Sequence, residues 1–192
     1  MEFHQNEPHP VELFRASMRG AASSVSLVTS RFEGENFGMA VTSWASVSVS
    51  PPAMLVVINR SASVHAAISA SGRYCVNIMA GSQAAMLRQF SRTDLRHLRF
   101  NSEDWEQEQD GPPVLKGAVS SLSCTVETAS DYSTHTIFVG RVDRVILSEP
   151  EARNAAPLIW MDGSPVSLAM ESDKDTKQRT RERTANKQGR LS

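Results

Sequence analysis

The stretch FGMAVTSWASVSVSPPAMLVVIN, Phe37 to Asn59, decides the fold. Its second half, AMLVVIN, is a continuous apolar run of strand length, which predicts a fully buried strand. Its first half, GMAVTSWASV, predicts another strand, and the pair Pro51–Pro52 ends the pattern because proline lacks the N–H that a sheet needs. A break this short is too small for a parallel crossover, so the two strands are expected to run antiparallel.

Small and hydroxyl side chains crowd the first of these strands, at Thr42, Ser43, Ala45 and Ser46. Small residues let a backbone come close to a ligand, and hydroxyls donate and accept hydrogen bonds. A flat heterocycle with carbonyl and ring-nitrogen edges would fit against these four residues. An ordinary strand whose Ser and Thr side chains face solvent fits the same spacing, so both interpretations stay open at this point.

The remaining pattern predicts a mainly β domain with short helices. Helices are predicted in VELFRASMRGAA after Pro10, in SASVHAAISASG before Gly72, and in SQAAMLRQF with Ser82 as N-cap. Further strands are predicted in SSVSLVTSRF, RYCVNIM, AVSSLSCTVETAS, HTIFVGRVDRVILSE, PLIW and PVSL, with residues 91–113 as a loop containing a helical turn. Short connections favour an antiparallel, Greek-key barrel with helical decoration.

The composition indicates one globular domain, predicted at residues 10–170. The chain has 192 residues, of which 40% are hydrophobic and 21% charged. Residues 1–9 are predicted to be disordered, and residues 171–192 form a charged tail with seven Lys or Arg and four Asp or Glu. A net charge of -1 gives no electrostatic reason to bind nucleic acid, and no apolar run approaches the roughly 18 residues of a membrane span.

The cysteines and histidines suggest a cytoplasmic location and no metal site. Cys75 and Cys124 each lie inside an apolar segment, as expected of lone thiols in a reducing compartment. The first ten residues, MEFHQNEPHP, do not read as a secretory signal. The five histidines are scattered, and no close Cys/His cluster is present.

A second candidate site is NRSASVH, Asn59 to His65, which follows the buried strand and opens a helix. Arg60, Ser61 and Ser63 suit an anion, because N–H groups at a helix N-terminus point outward and the helix dipole favours phosphate. Arg88 offers a second cation. Helix capping beside a solvated arginine explains the same residues equally well.

Three further side chains could face a ligand. His135 begins the strand HTIFVGRV after a polar turn and is placed to act as a donor or acid, although a turn histidine that bonds the backbone is also common. Trp44 and Phe90 could stack on a ring, or simply pack in the core. Dinucleotide, phosphate-loop, nucleophile-elbow and zinc-protease motifs are absent from the sequence.

Taken in order, these segments resemble the short-chain flavin reductases, the reductase partners of two-component flavin-dependent monooxygenases. The matching succession is FRASM, SVSLVTS, the block from Gly38 to Met79, GPPVLKGAVSSLSCTVE, HTIFVGRV and APLIWMDG. The resemblance covers Val11 to Leu168, and the block from Gly38 to Met79 is its most specific part. It implies a split β-barrel that binds FMN or FAD, usually as a homodimer with its sites near the subunit interface.

The resemblance also implies an activity and a set of contacts. The activity is NAD(P)H:flavin oxidoreduction, with NADH or NADPH as donor and with diffusible reduced flavin supplied to an oxygenase, usually one that hydroxylates an aromatic compound. His135 is the implied catalytic residue, and it forms the nicotinamide side with Asp162 and Gly163. The implied cofactor-binding residues are Thr42, Ser43, Trp44, Ala45, Ser46, Asn59, Arg60, Ser61, Ser63, His65, Cys75, Val76, Asn77, Gln83, Arg88 and Phe90.

Two departures from the family pattern lie on the nicotinamide side. The family commonly has Gly-Asp before the histidine, where this chain has Ser133 and Thr134. The family often has an aromatic residue shortly after the final glycine, where Ser164 and Pro165 follow Gly163. The missing Gly-Asp keeps open a flavin- or haem-binding split-barrel protein without catalysis. The basic tail keeps open a further alternative, a structural partner that docks on an oxygenase subunit.

Overall fold

The structure is a computed structural model, and it describes residues 9–107, 110–148 and 156–168. The predicted mainly β, antiparallel architecture with few short helices is confirmed. The charged tail 171–192 and residues 1–8 of the predicted disordered N-terminus lie outside the described residues.

The described residues contain twelve strands and three α-helices. The helices are α1 (Pro10–Arg19), α2 (Ser63–Ser71) and α3 (Leu87–Ser91), with 3-10 turns at Gly81–Met86 and Arg96–Leu98. The strands are β1 (Ser23–Ser24), β2 (Ser26–Phe32), β3 (Glu35–Val41), β4 (Trp44–Val49), β5 (Pro52–Asn59), β6 (Arg73–Ile78), β7 (Trp105–Glu106), β8 (Val114–Leu115), β9 (Ser120–Tyr132), β10 (His135–Leu147), β11 (Ile159–Met161) and β12 (Ser164–Val166). Among the described helices, none is both long and apolar enough to cross a bilayer.

Seven strands form one antiparallel sheet in the order β3-β2-β6-β9-β10-β5-β4. Its two edge strands, β3 and β4, follow each other in the chain and are separated only by Thr42 and Ser43. A flat sheet of this order would place them about 29 Å apart, at about 4.8 Å for each strand spacing. Two linking residues span at most about 11 Å. The sheet must therefore curl until its edges meet at a seam, which is the split barrel that the resemblance implied.

The barrel interior holds the main apolar core. Along β5 the burial alternates, so that Met54, Val56 and Ile58 point inward. Tyr74 on β6 is fully buried, and its hydroxyl donates to the Met54 carbonyl at 2.8 Å. Gly140 on β10 lies against this ring, since a methyl group there would come within 2.7 Å of the Tyr74 hydroxyl oxygen.

Two predicted elements differ from those observed. The strand predicted over GMAVTSWASV is broken at Thr42–Ser43, where the chain leaves one edge of the sheet and joins the other. The helix predicted over SQAAMLRQF begins as a 3-10 turn with Ala80, rather than Ser82, as N-cap and becomes α-helical only at Leu87. The end of α2 is confirmed, because Gly72 adopts the left-handed conformation that terminates helices.

The segment predicted as a loop, residues 91–113, packs on the outside of the barrel. Phe90, Phe100 and Trp105 form an aromatic cluster with ring centroids 4.9–5.7 Å apart. Arg99 is only 7% exposed, and its guanidinium donates to the carbonyls of Gly38 at 2.7 Å and Gln89 at 2.8 Å. These contacts hold the segment beside β3 and α3.

Candidate functional site

Three adjacent strands place most of the predicted site at one end of the barrel. His135 at the start of β10 lies opposite Asn59 at the end of β5. Trp44 at the start of β4 lies opposite Val56, and the Val57 N–H donates to the Ser43 carbonyl at 2.9 Å. At about 4.8 Å per strand, His135 and the link before β4 are about 10 Å apart. A planar ring of flavin size can span that distance.

The start of β4 offers exposed small residues. Thr42, Ser43, Ala45 and Ser46 are all exposed, as a backbone surface for a ring requires. Because β4 is an edge strand, its backbone pairs with β5 on one side only. Trp44 is different: it packs against the barrel core, and its indole N–H donates to the Ser24 carbonyl at 3.2 Å.

The segment after β5 folds into a tight turn that leads into α2. The Asn59 side-chain oxygen accepts from both the N–H and the hydroxyl of Ser61, each at 2.9 Å. Helix α2 begins at Ser63 and has no side-chain cap. The His65 N–H donates to the Ala62 carbonyl at 3.0 Å, so an anion would be held by the N–H groups before it, at Ser63 and Val64. The Arg60 guanidinium donates to the Ser133 carbonyl at 2.5 Å and lies 3.5 Å from Asp131, which ties this turn to the one before His135.

The two predicted histidines occupy different environments. His135 is half-buried, and its Nδ1 lies 3.0 Å from the Thr134 hydroxyl. His65 lies 2.8 Å from the Thr136 hydroxyl, which in turn donates to Asp131 at 2.6 Å. Because that hydroxyl has one hydrogen and gives it to Asp131, the His65 Nε2 must carry the proton in the other bond. His65 thus braces α2 against β10 and does not face the open strand end.

Two neighbouring clefts open beside the link between β3 and β4. The first, of about 230 Å³, lies between Thr42, Leu87 on α3 and Trp160 on β11. The second, of about 440 Å³, shares Thr42 and Trp160 and reaches Asp162 and Gly163. Helix α1 forms its far wall, fastened by an Arg19–Asp162 ion pair of 3.6 Å. The clefts connect the predicted flavin strand with the predicted nicotinamide residues.

The three predicted cofactor-binding residues on β6 also lie away from this surface. Cys75, Val76 and Asn77 on β6 are 0% exposed. The Asn77 amide donates to the Leu27 carbonyl at 3.0 Å, and its oxygen accepts from the Leu115 N–H at 2.8 Å. Burial raises the pKa of the Cys75 thiol to about 12. These side chains hold the barrel together and cannot contact a ligand in this conformation.

Of the predicted residues Gln83, Arg88 and Phe90, two have structural positions. Phe90 is 3% exposed inside the aromatic cluster, so its ring is not available for stacking. Gln83 accepts from the Ala80 N–H at 3.0 Å and donates to the Lys116 carbonyl at 2.9 Å. Arg88 is exposed on α3, beside Leu87 of the smaller cleft.

The sequence interpretation missed several residues that shape the site. Trp160 lies between the two clefts, and Asp131 and Thr136 connect the turn at Arg60 with His65. Asp131 and Thr136 flank His135 in SDYSTHT, so an acid and a hydroxyl close to a candidate histidine were available signals. Nothing in PLIW distinguishes Trp160 from an ordinary core residue.

Known proteins with similar sequences are flavin reductases. The chain is 34% identical to an "FMN reductase (NADH) RutF 2" from Rhizobium rhizogenes over 149 residues, which cover 78% of this chain and 84% of that protein. It is 31% identical to the reductase component of an FADH(2)-dependent resorcinol hydroxylase from a Rhizobium species over 138 residues, covering 71% and 77%.

A solved structure and a family model agree with these relatives. The Streptomyces globisporus NADH:FAD oxidoreductase SgcE6, in complex with NAD and FAD fragments, superposes with a TM-score of 0.77 and 26% identity, covering 87% of this chain and 98% of that one. The model of the flavin reductase like domain matches residues 18–169. The chain belongs to the flavin reductase family.

Proposed function

We infer that the protein is an NADH-dependent flavin reductase whose reduced flavin serves a partner monooxygenase. The relatives named FMN reductase and hydroxylase reductase component support this activity. The nucleotides supply the redox chemistry, a hydride passed from the nicotinamide to the flavin. The chain has to bind two planar groups in contact and exclude competing reactions, which explains why no nucleophile or metal motif is needed.

Three binding features lie at the same end of the barrel, and this arrangement is the main support for the proposal. The edge strand from Thr42 to Ser46 offers exposed backbone, and N–H groups there suit the charge that develops on a reduced ring. The uncapped start of α2 at Ser63 suits a phosphate. His135 lies across β5 from the edge strand, on the side where a second planar group would stack.

On the donor side, we assign His135, Asp162 and Gly163 to the nicotinamide. His135 holds the donor against the ring and shields it from water, and the 440 Å³ cleft gives the donor room to enter. Because Asp162 is tied to Arg19, helix α1 forms part of this entrance. Binding without a glycine-rich phosphate cradle suits a flavin that must leave after reduction.

A second copy of the chain is the proposed partner on the outer face of the sheet. Ala45, Leu55 and Val139 lie side by side across β4, β5 and β10, and Val57 pairs with Ile137 in the next outward row. These apolar side chains are at most half-buried in the single chain. The face adjoins the site, so a homodimer would place the site near the interface. A cytoplasmic location is supported by two free, buried cysteines.

Steady-state oxidation of NADH, followed by absorbance with FMN or FAD as acceptor, tests the activity. We expect turnover with added flavin, and transfer of the reduced flavin to a separately purified flavin-dependent hydroxylase. Tight flavin binding with no NADH oxidation would instead favour the non-catalytic alternative. Repeating the assay with NADPH in place of NADH shows which nucleotide is the better electron donor.

A variant pair tests where the flavin binds. Arg60→Ala removes a charge at the turn before α2 and should raise the flavin KM about three- to tenfold. Arg141→Ala is the matched control, because Arg141 lies in the middle of β10, six residues from His135, and is paired with Glu127 at 3.4 Å and with Asp143 at 3.1 Å. Equal effects of the two variants would contradict the assignment of the phosphate to this turn.

A further inference from the structure

A separate cavity of about 620 Å³ adjoins the proposed phosphate site. It lies between β3, the start of α2 and the 3-10 turn Arg96–Leu98. Ser63 lines this cavity and also begins the helix proposed to hold the flavin phosphate. A group linked directly to that phosphate would therefore enter the cavity.

The cavity walls are rich in positive charge. Arg99 forms part of the wall, is more than nine-tenths buried, and donates to the main-chain carbonyls of Gln89, Gly38 and Arg92. Arg96 and His97 are exposed at the same cavity. Burial, together with the charge of Arg96, lowers the pKa of Arg99, as expected where positive charges crowd. Glu35 is the single carboxylate among the described lining residues. Such a wall favours an anionic ligand.

The same cavity also has surfaces suited to a purine. Phe37 and Phe100 line it and are half-buried, so each offers part of a ring for stacking. Asn36 and Asn101 provide amide groups for polar edges. Its volume lies within the range of about 300–1,000 Å³ typical of small-molecule pockets.

We propose that this cavity takes the adenosine-phosphate half of FAD, and that the protein accordingly prefers FAD to FMN. The inference rests on the proposed function, since it extends the flavin from the phosphate position at Ser63. FMN ends at that phosphate and would leave the cavity empty. FAD continues through its second phosphate toward Arg96 and places its adenine between Phe37 and Phe100.

Direct binding of the oxidised flavins tests this preference without turnover. Titration followed by flavin fluorescence should give a dissociation constant for FAD at least about fivefold below that for FMN. Arg96→Ala should weaken FAD about three- to tenfold and change FMN less than twofold. Arg92→Ala is the matched control, because Arg92 lies in the same segment but is paired with Asp94 at 2.7 Å and does not line the cavity.

The outcomes separate the two proposals. A protein that binds both flavins but oxidises no NADH would contradict the proposed function and leave the binding comparison valid. Equal affinities for FMN and FAD would overturn the inference. So would an Arg96→Ala variant that weakens both flavins alike, or neither.

The adenosine half of NADH could bind the same cavity as the adenosine half of FAD. A second measurement distinguishes the two ligands. With FMN as acceptor, the NADH KM of Arg96→Ala should stay within about twofold of the unmodified protein. A larger rise would assign the cavity to the donor instead, against the inference. AMP, which corresponds to the part of FAD beyond the FMN phosphate, should compete with FAD in the titration and leave FMN binding unchanged.

Discussion

Asn77 links three parts of the barrel, and its replacement by alanine would separate a structural role from a cofactor role. The side chain donates to Leu27 on β2 and accepts from the Leu115 N–H and the Ser121 hydroxyl, each of the latter at 2.8 Å. It is completely buried. Alanine would leave the Leu115 and Ser121 donors without these partners in a site that excludes bulk solvent.

Each buried donor left unpaired costs about 1–3 kcal/mol, so Asn77→Ala should lower the free energy of unfolding by about 3–5 kcal/mol. That is a large part of the 5–15 kcal/mol typical of a domain. At about 2–4 °C per kcal/mol for a chain of this size, the melting temperature should fall by about 10 °C. Flavin affinity of the folded fraction should stay within about twofold of the unmodified protein.

Urea denaturation and flavin titration measure the two quantities on one preparation. Ser121→Ala is the control, because it removes a donor together with its need for a partner and should cost only about 1 kcal/mol. In the double variant the two losses of stability should not add. The Ser121 hydroxyl is already absent there, so Asn77→Ala cannot leave it unpaired. The reasoning is refuted if Asn77→Ala keeps its denaturation midpoint and loses flavin affinity by about tenfold or more.

Four more perturbations follow from the same structure. Gly140→Ala should destabilise by about 1–3 kcal/mol in urea, since its methyl group would overlap a buried ring, whereas Gly20→Ala, with its nearest neighbour at 3.6 Å, should be nearly neutral. His135→Ala should raise the NADH KM about tenfold with little change in flavin affinity; unchanged KM and turnover would exclude its role. Cys75 and Cys124, both with a pKa raised to about 12 by burial, should resist iodoacetamide at pH 8 until the protein unfolds, and rapid alkylation of folded protein would contradict that burial. Because the unfolded thiols ionise near 9, stability should fall as the pH rises from about 9 to 12, which urea midpoints across that window would detect.

The sequence predicted those features that a local pattern can encode. The apolar run of β5, the alternation of β9 and β10 and the glycine that ends α2 are visible as spacing and residue type. The break at Thr42–Ser43 is not, because its residues continue the strand composition on both sides and no glycine or proline marks it. It exists because the curled sheet brings its edges together there.

The structure brings some of the predicted site residues together and buries others. Thr42, Ser43 and Asn59 lie near one another on neighbouring strands, and their contact with flavin stays a prediction. Asn77 is buried instead, because an apolar segment covered on both faces gives no periodic signal to tell which side chains point at a ligand. Only the packing of β6 between β2 and β9 fixes that direction.

The link between the two sheet edges also protects the strand alignment. A shift of β4 by two residues along β5 would move its first residue about 7 Å, which Thr42 and Ser43 would have to absorb. An edge strand is usually the part of a sheet most prone to slippage and to pairing with foreign chains. Here the short link fixes the position of β4 relative to β3, so a register shift in either edge strand would strain the link between them.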